Sequence, residues 1–122
     1  MAKIALIEDD MAIVQMYRMK FESDGFDVVT ANNGADGLEL IEAENPDIVL
    51  LDVMMPVMRG DEMLEKLRSS DFGKTVPVIV LTNTGKTEAP KSIMENNVSN
   101  FIVKAEMTPA DVLSEVKSTL KN

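Results

Sequence analysis

The side chains able to do chemistry fall at four places: the acids Glu8, Asp9 and Asp10 of IEDD, the lone acid Asp52 in LLDVMMP, the hydroxyl of Thr82 ending VIVLT, and the amine of Lys104 closing FIVK. The chain has neither cysteine nor histidine. That excludes a thiol nucleophile, a disulfide, a thiolate or imidazole metal site and a Ser/His pair. Carboxylate, hydroxyl and lysine chemistry remain, and any metal must be a hard, oxygen-preferring ion such as Mg²⁺. Carboxylates gathered in one place repel by roughly 4 kcal/mol per pair at 4 Å in an effective dielectric near 20, and something cationic must offset this. Mg²⁺ takes one or two carboxylates, keeps several waters and leaves positions open for phosphate oxygens. A carboxylate nucleophile, a metal, a hydroxyl donor and a lysine around one space make a phosphoryl-transfer site.

Those residues meet only if the fold brings them together. Five short apolar runs are spaced along the chain: Lys3 to Ile7, Phe26 to Thr30, Asp47 to Asp52, Val76 to Thr82 and Asn100 to Lys104. Between and after them lie stretches of helical period, marked by Ile13, Met16, Tyr17, Met19 and Phe21, then Ala35, Leu38 and Ile41, then Met63, Leu64 and Leu67, and finally Leu113, Val116 and Leu120. The stretch from Thr87 to Asn96, with Ile93 and Met94, has the weakest helical pattern. Alternating strands and helices need crossover connections, which predicts an α/β fold with a parallel sheet and helices on both faces. The unalternated apolar runs Ile48 to Leu51 and Val78 to Leu81 suit strands buried on both sides. One (βα)₅ domain is expected to fill residues 1–122, with no output domain. Thr108, Pro109 and Asp111 read as the start of the last helix, and Asn97 as a left-handed residue that ends one.

In an open parallel sheet, ligands bind beyond the carboxyl ends of the strands. Glu8, Asp9, Asp10, Asp52, Thr82 and Lys104 are all expected at that edge. Singly, each has a plainer role: Asp9 or Asp10 as a helix N-cap, Asp52 as a turn-former before Pro56, Thr82 as a strand-end β-former, Lys104 as a solvated charge. Their shared edge favours the chemical reading. Met54, Met55, Met58 and Met63 read as adaptable packing and loop contacts rather than a thioether copper site.

The formal net charge of −9 opposes direct binding of nucleic acid or an anionic membrane, because no basic patch outweighs that field. The apolar run Ile4 to Ile7 is too short for a signal peptide or a membrane span, so no membrane insertion and a cytoplasmic location are expected.

IEDD, LLDVMMPVMRG, VIVLT and FIVK, in that order and spacing, resemble the receiver domain of two-component response regulators, the CheY-like family. The resemblance implies a flavodoxin-like, doubly wound sheet of strand order 2-1-3-4-5. It implies Asp52 as phosphoacceptor, Asp10 as a direct Mg²⁺ ligand, Asp9 as a ligand through water, and the backbone carbonyl of Met54 completing the set, with Mn²⁺ an acceptable substitute. Lys104 would contact the acyl phosphate, Thr82 would turn toward a phosphoryl oxygen, and Phe101 would swing inward as the switch aromatic. The phosphoryl donor would be a histidine kinase or a histidine phosphotransfer protein. A downstream protein, or a second copy of the chain, would bind the face made by the Thr87 to Asn96 stretch, the fifth strand and the last helix.

The chain departs from the family pattern in three places. Ala105 follows Lys104 where proline is common, and without proline a cis bond costs about 2.5 to 4 kcal/mol. Arg59 stands where an acid is common and opposes the dipole of the third helix, unless it pairs with Asp61 or Glu62. Asn83 replaces a small residue near Asp52. Two rival readings are a phosphorylation-independent, receiver-like interaction module and an aspartyl-phosphate hydrolase. The hydrolase needs a second aspartate two residues after the nucleophile, where this chain has Met54. TGKT, Thr84 to Thr87, mimics the end of a P-loop but lacks the earlier glycine, which falls at Val80.

Overall fold

The computed structural model describes residues 2–82 and 96–121. Five strands, β1 (Lys3–Ile7), β2 (Asp27–Ala31), β3 (Ile48–Asp52), β4 (Val78–Thr82) and β5 (Asn100–Val103), pair in parallel in the order β2-β1-β3-β4-β5. Helices α1 (Met11–Ser23), α2 (Gly34–Glu44) and α3 (Gly60–Arg68) follow the first three strands; a short 3₁₀ turn (Lys104–Glu106) and a C-terminal helix (Pro109–Lys121) follow the fifth. The expected weak helix from Thr87 to Asn96, the TGKT segment and Asn83 lie outside the described residues, apart from Asn96 itself.

Strand periodicity divides the core in two. Ile4, Leu6, Ile48, Leu50, Ile79 and Leu81 point to one face, where α1 and the C-terminal helix cover them. Ala5, Ile7, Val49, Leu51, Val78 and Val80 point to the other, under α2 and α3. Every residue of β3 and β4 is buried, which is why neither strand alternates in sequence. Two expected helix faces need correction. In α1 the buried residues are Val14, Tyr17 and Phe21, whereas Met16 and Met19 face solvent, because a helix buries positions three and four apart. In α2 the wholly buried positions are Gly34, Gly37 and Ile41, with Leu38 and Ala35 only half-buried.

The ends of the elements are fixed locally. Thr108 and Asp111 cap the C-terminal helix reciprocally: the Asp111 N–H donates to Thr108 Oγ1 at 3.2 Å, and the Thr108 N–H to Asp111 Oδ2 at 3.0 Å. These bonds hold the Asp111 carboxyl below its usual pKa. Asn97 has the expected left-handed backbone, with φ of 56°. Pro77 precedes β4 rather than lying in it, and its carbonyl accepts from the Val49 N–H at 2.9 Å. Among the described residues no peptide bond is cis, so the Lys104–Ala105 bond is trans. Arg59 pairs with Asp61 at 3.0 Å, which offsets its charge at the start of α3.

One structural residue was not legible in the sequence. The Arg68 guanidinium donates to four backbone carbonyls, those of Gly73, Val76, Asn96 and Asn97, at 2.7 to 2.9 Å. It ties the end of α3 to the approaches of β4 and β5. Burial lowers its pKa, and the fan of carbonyls supplies the acceptors that a partly desolvated cation requires.

Candidate functional site

The carboxyl ends of β1, β3, β4 and β5 bring Glu8, Asp52, Thr82 and Lys104 to one edge, as expected of this topology. Asp52 is the last residue of β3 and is only 4% exposed. The chain beyond it turns away at once, because the Gly60 N–H at the start of α3 bonds back to Val53 O at 2.8 Å. Gly60 is required there: a Cβ would run into the Asp52 carbonyl and lie 2.8 Å from the Cα of Val53. The intervening loop carries Val57 at φ 67°, with the Met58 N–H reaching Pro56 O at 2.7 Å. This is a tight turn of a strained kind for a β-branched residue.

Glu8, Asp9 and Asp52 each offer a carboxylate oxygen, and these oxygens lie within 4.8 Å of one another. Glu8 and Asp52 are buried, while Asp9 is exposed. Lys104, directly after β5, bonds to Glu8 and stands 3.2 Å from Asp52 Oδ1. Its side chain is 8% exposed. Burial alone would lower the Lys104 pKa; the bond to Glu8 and the charge of Asp52 outweigh it and hold the pKa above the usual value. Burial, reinforced by the charge of Glu8 and opposed by Lys104, pushes the Asp52 carboxyl up to about 7. Among the described residues, three acids against one ammonium leave the site rich in negative charge, with oxygen donors and an open side at Asp9. That donor set fits a hard divalent cation.

Asp10 does not join this cluster. Its carboxylate caps α1, accepting from the Ala12 and Ile13 N–H groups at 3.0 and 3.4 Å, and its own N–H donates to Glu8 Oε2 at 3.2 Å. The expectation that placed Asp10 nearest the metal thus differs from the geometry by one residue. The strand register carries Glu8 inward in line with Ile4 and Leu6, leaves Asp9 at the rim, and hands Asp10 to the helix. Glu8 was visible in the sequence as an edge residue but absent from the expected ligand set. The signal that could have found it is its parity with the buried residues of β1. Thr82 is buried at the end of β4. Met54 lies two residues beyond Asp52 with its side chain exposed. Phe101 is half-buried in β5 and packs against the core under α2 and α3.

Comparison with known proteins agrees with this geometry. Residues 4–117 match the model of the response regulator receiver domain. The chain is 30% identical over 119 residues to the alkaline phosphatase synthesis transcriptional regulatory protein PhoP of Bacillus subtilis, covering 98% of this chain and 48% of that protein. It spans about half the length of that relative. Among solved structures, a CheY-like response regulator receiver domain protein of Methanospirillum hungatei superposes with a TM-score of 0.90 at 27% identity, covering 99% of this chain and 94% of that one. The receiver domain of a sensor histidine kinase from Pseudomonas aeruginosa, with a magnesium ion coordinated in its active site cleft, has a TM-score of 0.90 at 20% identity, covering 99% and 98%. At that identity the likeness speaks for the fold.

Proposed function

Because the chain belongs to the response regulator receiver domain family, we propose that it is a phosphorylation-driven signalling switch in which Asp52 accepts a phosphoryl group. The observation that carries this reading is the buried Asp52 carboxylate set among Glu8, Asp9 and Lys104 at the open edge of the sheet. In the transfer, an Asp52 carboxylate oxygen attacks phosphorus while the donor's phosphorus–nitrogen bond breaks, leaving an acyl phosphate on Asp52 and the donor imidazole restored. The donor is a histidine kinase or a histidine phosphotransfer protein.

The residues present fit Mg²⁺, held by Asp52 and Asp9 with Glu8 behind them and the Met54 carbonyl at the loop. When bound, Mg²⁺ neutralises charge on the phosphoryl oxygens. Asp10 caps α1 through Oδ1, and we assign it no direct place on the ion. The chain's own residues do the rest. The end of β3 fixes Asp52 against rotation, Lys104 follows the negative charge from carboxylate to phosphoryl oxygen, and Thr82 supplies a hydroxyl donor. Moving a two-state equilibrium from 1:99 to 99:1 takes about 5.5 kcal/mol, within reach of a few charge-assisted hydrogen bonds to a new dianion. The output falls on the face of β5, its half-buried Phe101 and the C-terminal helix, where a downstream protein or a second copy binds.

Acetyl phosphate with Mg²⁺ tests the proposal. The intact protein gains the mass of one phosphoryl group, and Asp52→Asn gains none. An unchanged mass for the wild type overturns phosphoacceptance and leaves the receiver-like binding module.

A further inference from the structure

We propose that the open edge of β2 is a docking site for an extended, positively charged segment of a partner protein. β2 ends the sheet, so among the described residues one side of it has no neighbouring strand. Strand parity decides which groups it offers. The Asp27 N–H bonds to Ala2 O, and Ala31 O accepts from the Glu8 N–H, so residues 27, 29 and 31 turn their backbone groups toward β1. Val28 and Thr30 therefore turn both N–H and C=O outward.

At the Thr30 end this bare edge opens into a cavity of about 510 Å³ between α1 and α2. Met11 and Val14 of α1 and Leu40 of α2 line it with apolar surface, and Asp36 and Glu39 of α2 line it with carboxylates. It is an open groove rather than an enclosed void. Asp36 and Glu39 are exposed, and among the described residues neither takes part in a salt bridge. Among the described residues no lysine or arginine lines the cavity.

Each feature selects the occupant. Outward N–H and C=O groups pair with an extended backbone, the apolar walls take alternate side chains of that strand, and the acids favour a cation. A second copy of this chain fits poorly, because its net charge is also −9 and a symmetric contact brings the same acids together. A basic segment with alternating apolar side chains satisfies all three. Glu8 also lines the cavity, so the docking site borders the Asp52 cluster, with Glu8 common to both.

A fluorescein-labelled peptide alternating lysine and valine over about six residues, enough to span one strand, is the probe. Anisotropy should report saturable binding that weakens with salt. Asp36→Asn combined with Glu39→Lys should weaken it about tenfold, since one attraction is lost and another becomes repulsion. Thr30→Pro should weaken it as well while leaving the fold intact, because the Thr30 N–H turns away from β1 and proline is tolerated on an edge. Circular dichroism checks that fold, and the acid variants stand independently if it fails. Absence of binding, equal binding of an alternating glutamate and valine peptide, or affinity unchanged in the acid variants would each overturn the proposal.

Discussion

Replacing Lys104 by methionine keeps most of the side-chain volume but removes the ammonium that, among the described residues, Glu8 and Asp52 share. Both acids are buried, Glu8 at 1% exposure, so the variant holds two carboxylates without a cation, a loss of about 3 to 5 kcal/mol for a broken buried pair. The pH dependence is more diagnostic than the size. An acid whose pKa is raised in the fold binds its proton more tightly folded than unfolded, so stability falls as pH rises between the unfolded and the folded pKa. For Asp52 in the wild type that window runs from the ordinary carboxylate value of 3.8 to about 7. Lys104 is what pulls the upper limit down, so its removal extends the window upward. Above pH 7 the wild type is then flat in this respect, while Lys104→Met continues to lose up to about 1.4 kcal/mol per pH unit. Urea unfolding followed by circular dichroism at pH 6, 7.5 and 9 measures the difference; the chain has no tryptophan to serve as a fluorescence probe. A stability gap that stays constant or shrinks as pH rises would refute the reasoning.

Other consequences are simpler. Val57→Gly should stabilise the protein by about 0.5 to 1 kcal/mol, because the left-handed backbone costs an L-residue roughly 1 to 2 kcal/mol and glycine's extra chain entropy returns part of it; thermal unfolding measures this, and a lower melting temperature contradicts it. Arg68→Lys should destabilise by about 1.5 to 3 kcal/mol, since a lysine cannot serve four carbonyls arranged for a planar fork, as urea midpoints will report. Asp9→Asn should weaken Mg²⁺ binding in calorimetry about tenfold or more, whereas Asp10→Asn should change it little, because asparagine also caps a helix. The reverse order would restore Asp10 as the ligand.

The parallel sheet with helices on both faces and the edge that gathers Glu8, Asp52, Thr82 and Lys104 were legible because each rests on periodicity, whereas the strand order came from the family resemblance. Continuous apolar runs mean strands buried on both sides, and polar residues at their carboxyl ends share one rim. What was not legible depends on register by single residues. Whether Asp9 or Asp10 faces the cluster turns on where β1 ends and α1 begins, and an aspartate serves equally well in sequence as cap or ligand. Met16 and Met19 looked like core because methionine is apolar, yet their angular positions on α1 put them in water. The Arg68 fan was hidden because its acceptors are backbone carbonyls, which leave no mark in the residue types. The strain at Val57 likewise shows only in the dihedral angle.

The claim beneath all of this is that the Asp52 carboxylate, and no other, receives a phosphoryl group. Acyl phosphates are reduced by borohydride to the alcohol, so treating protein incubated with acetyl phosphate and Mg²⁺, then sequencing its peptides by mass spectrometry, locates the modified residue. The account predicts homoserine at position 52 only, lost when Mg²⁺ is chelated. Homoserine at Asp9 or Asp10, or none anywhere, would contradict it.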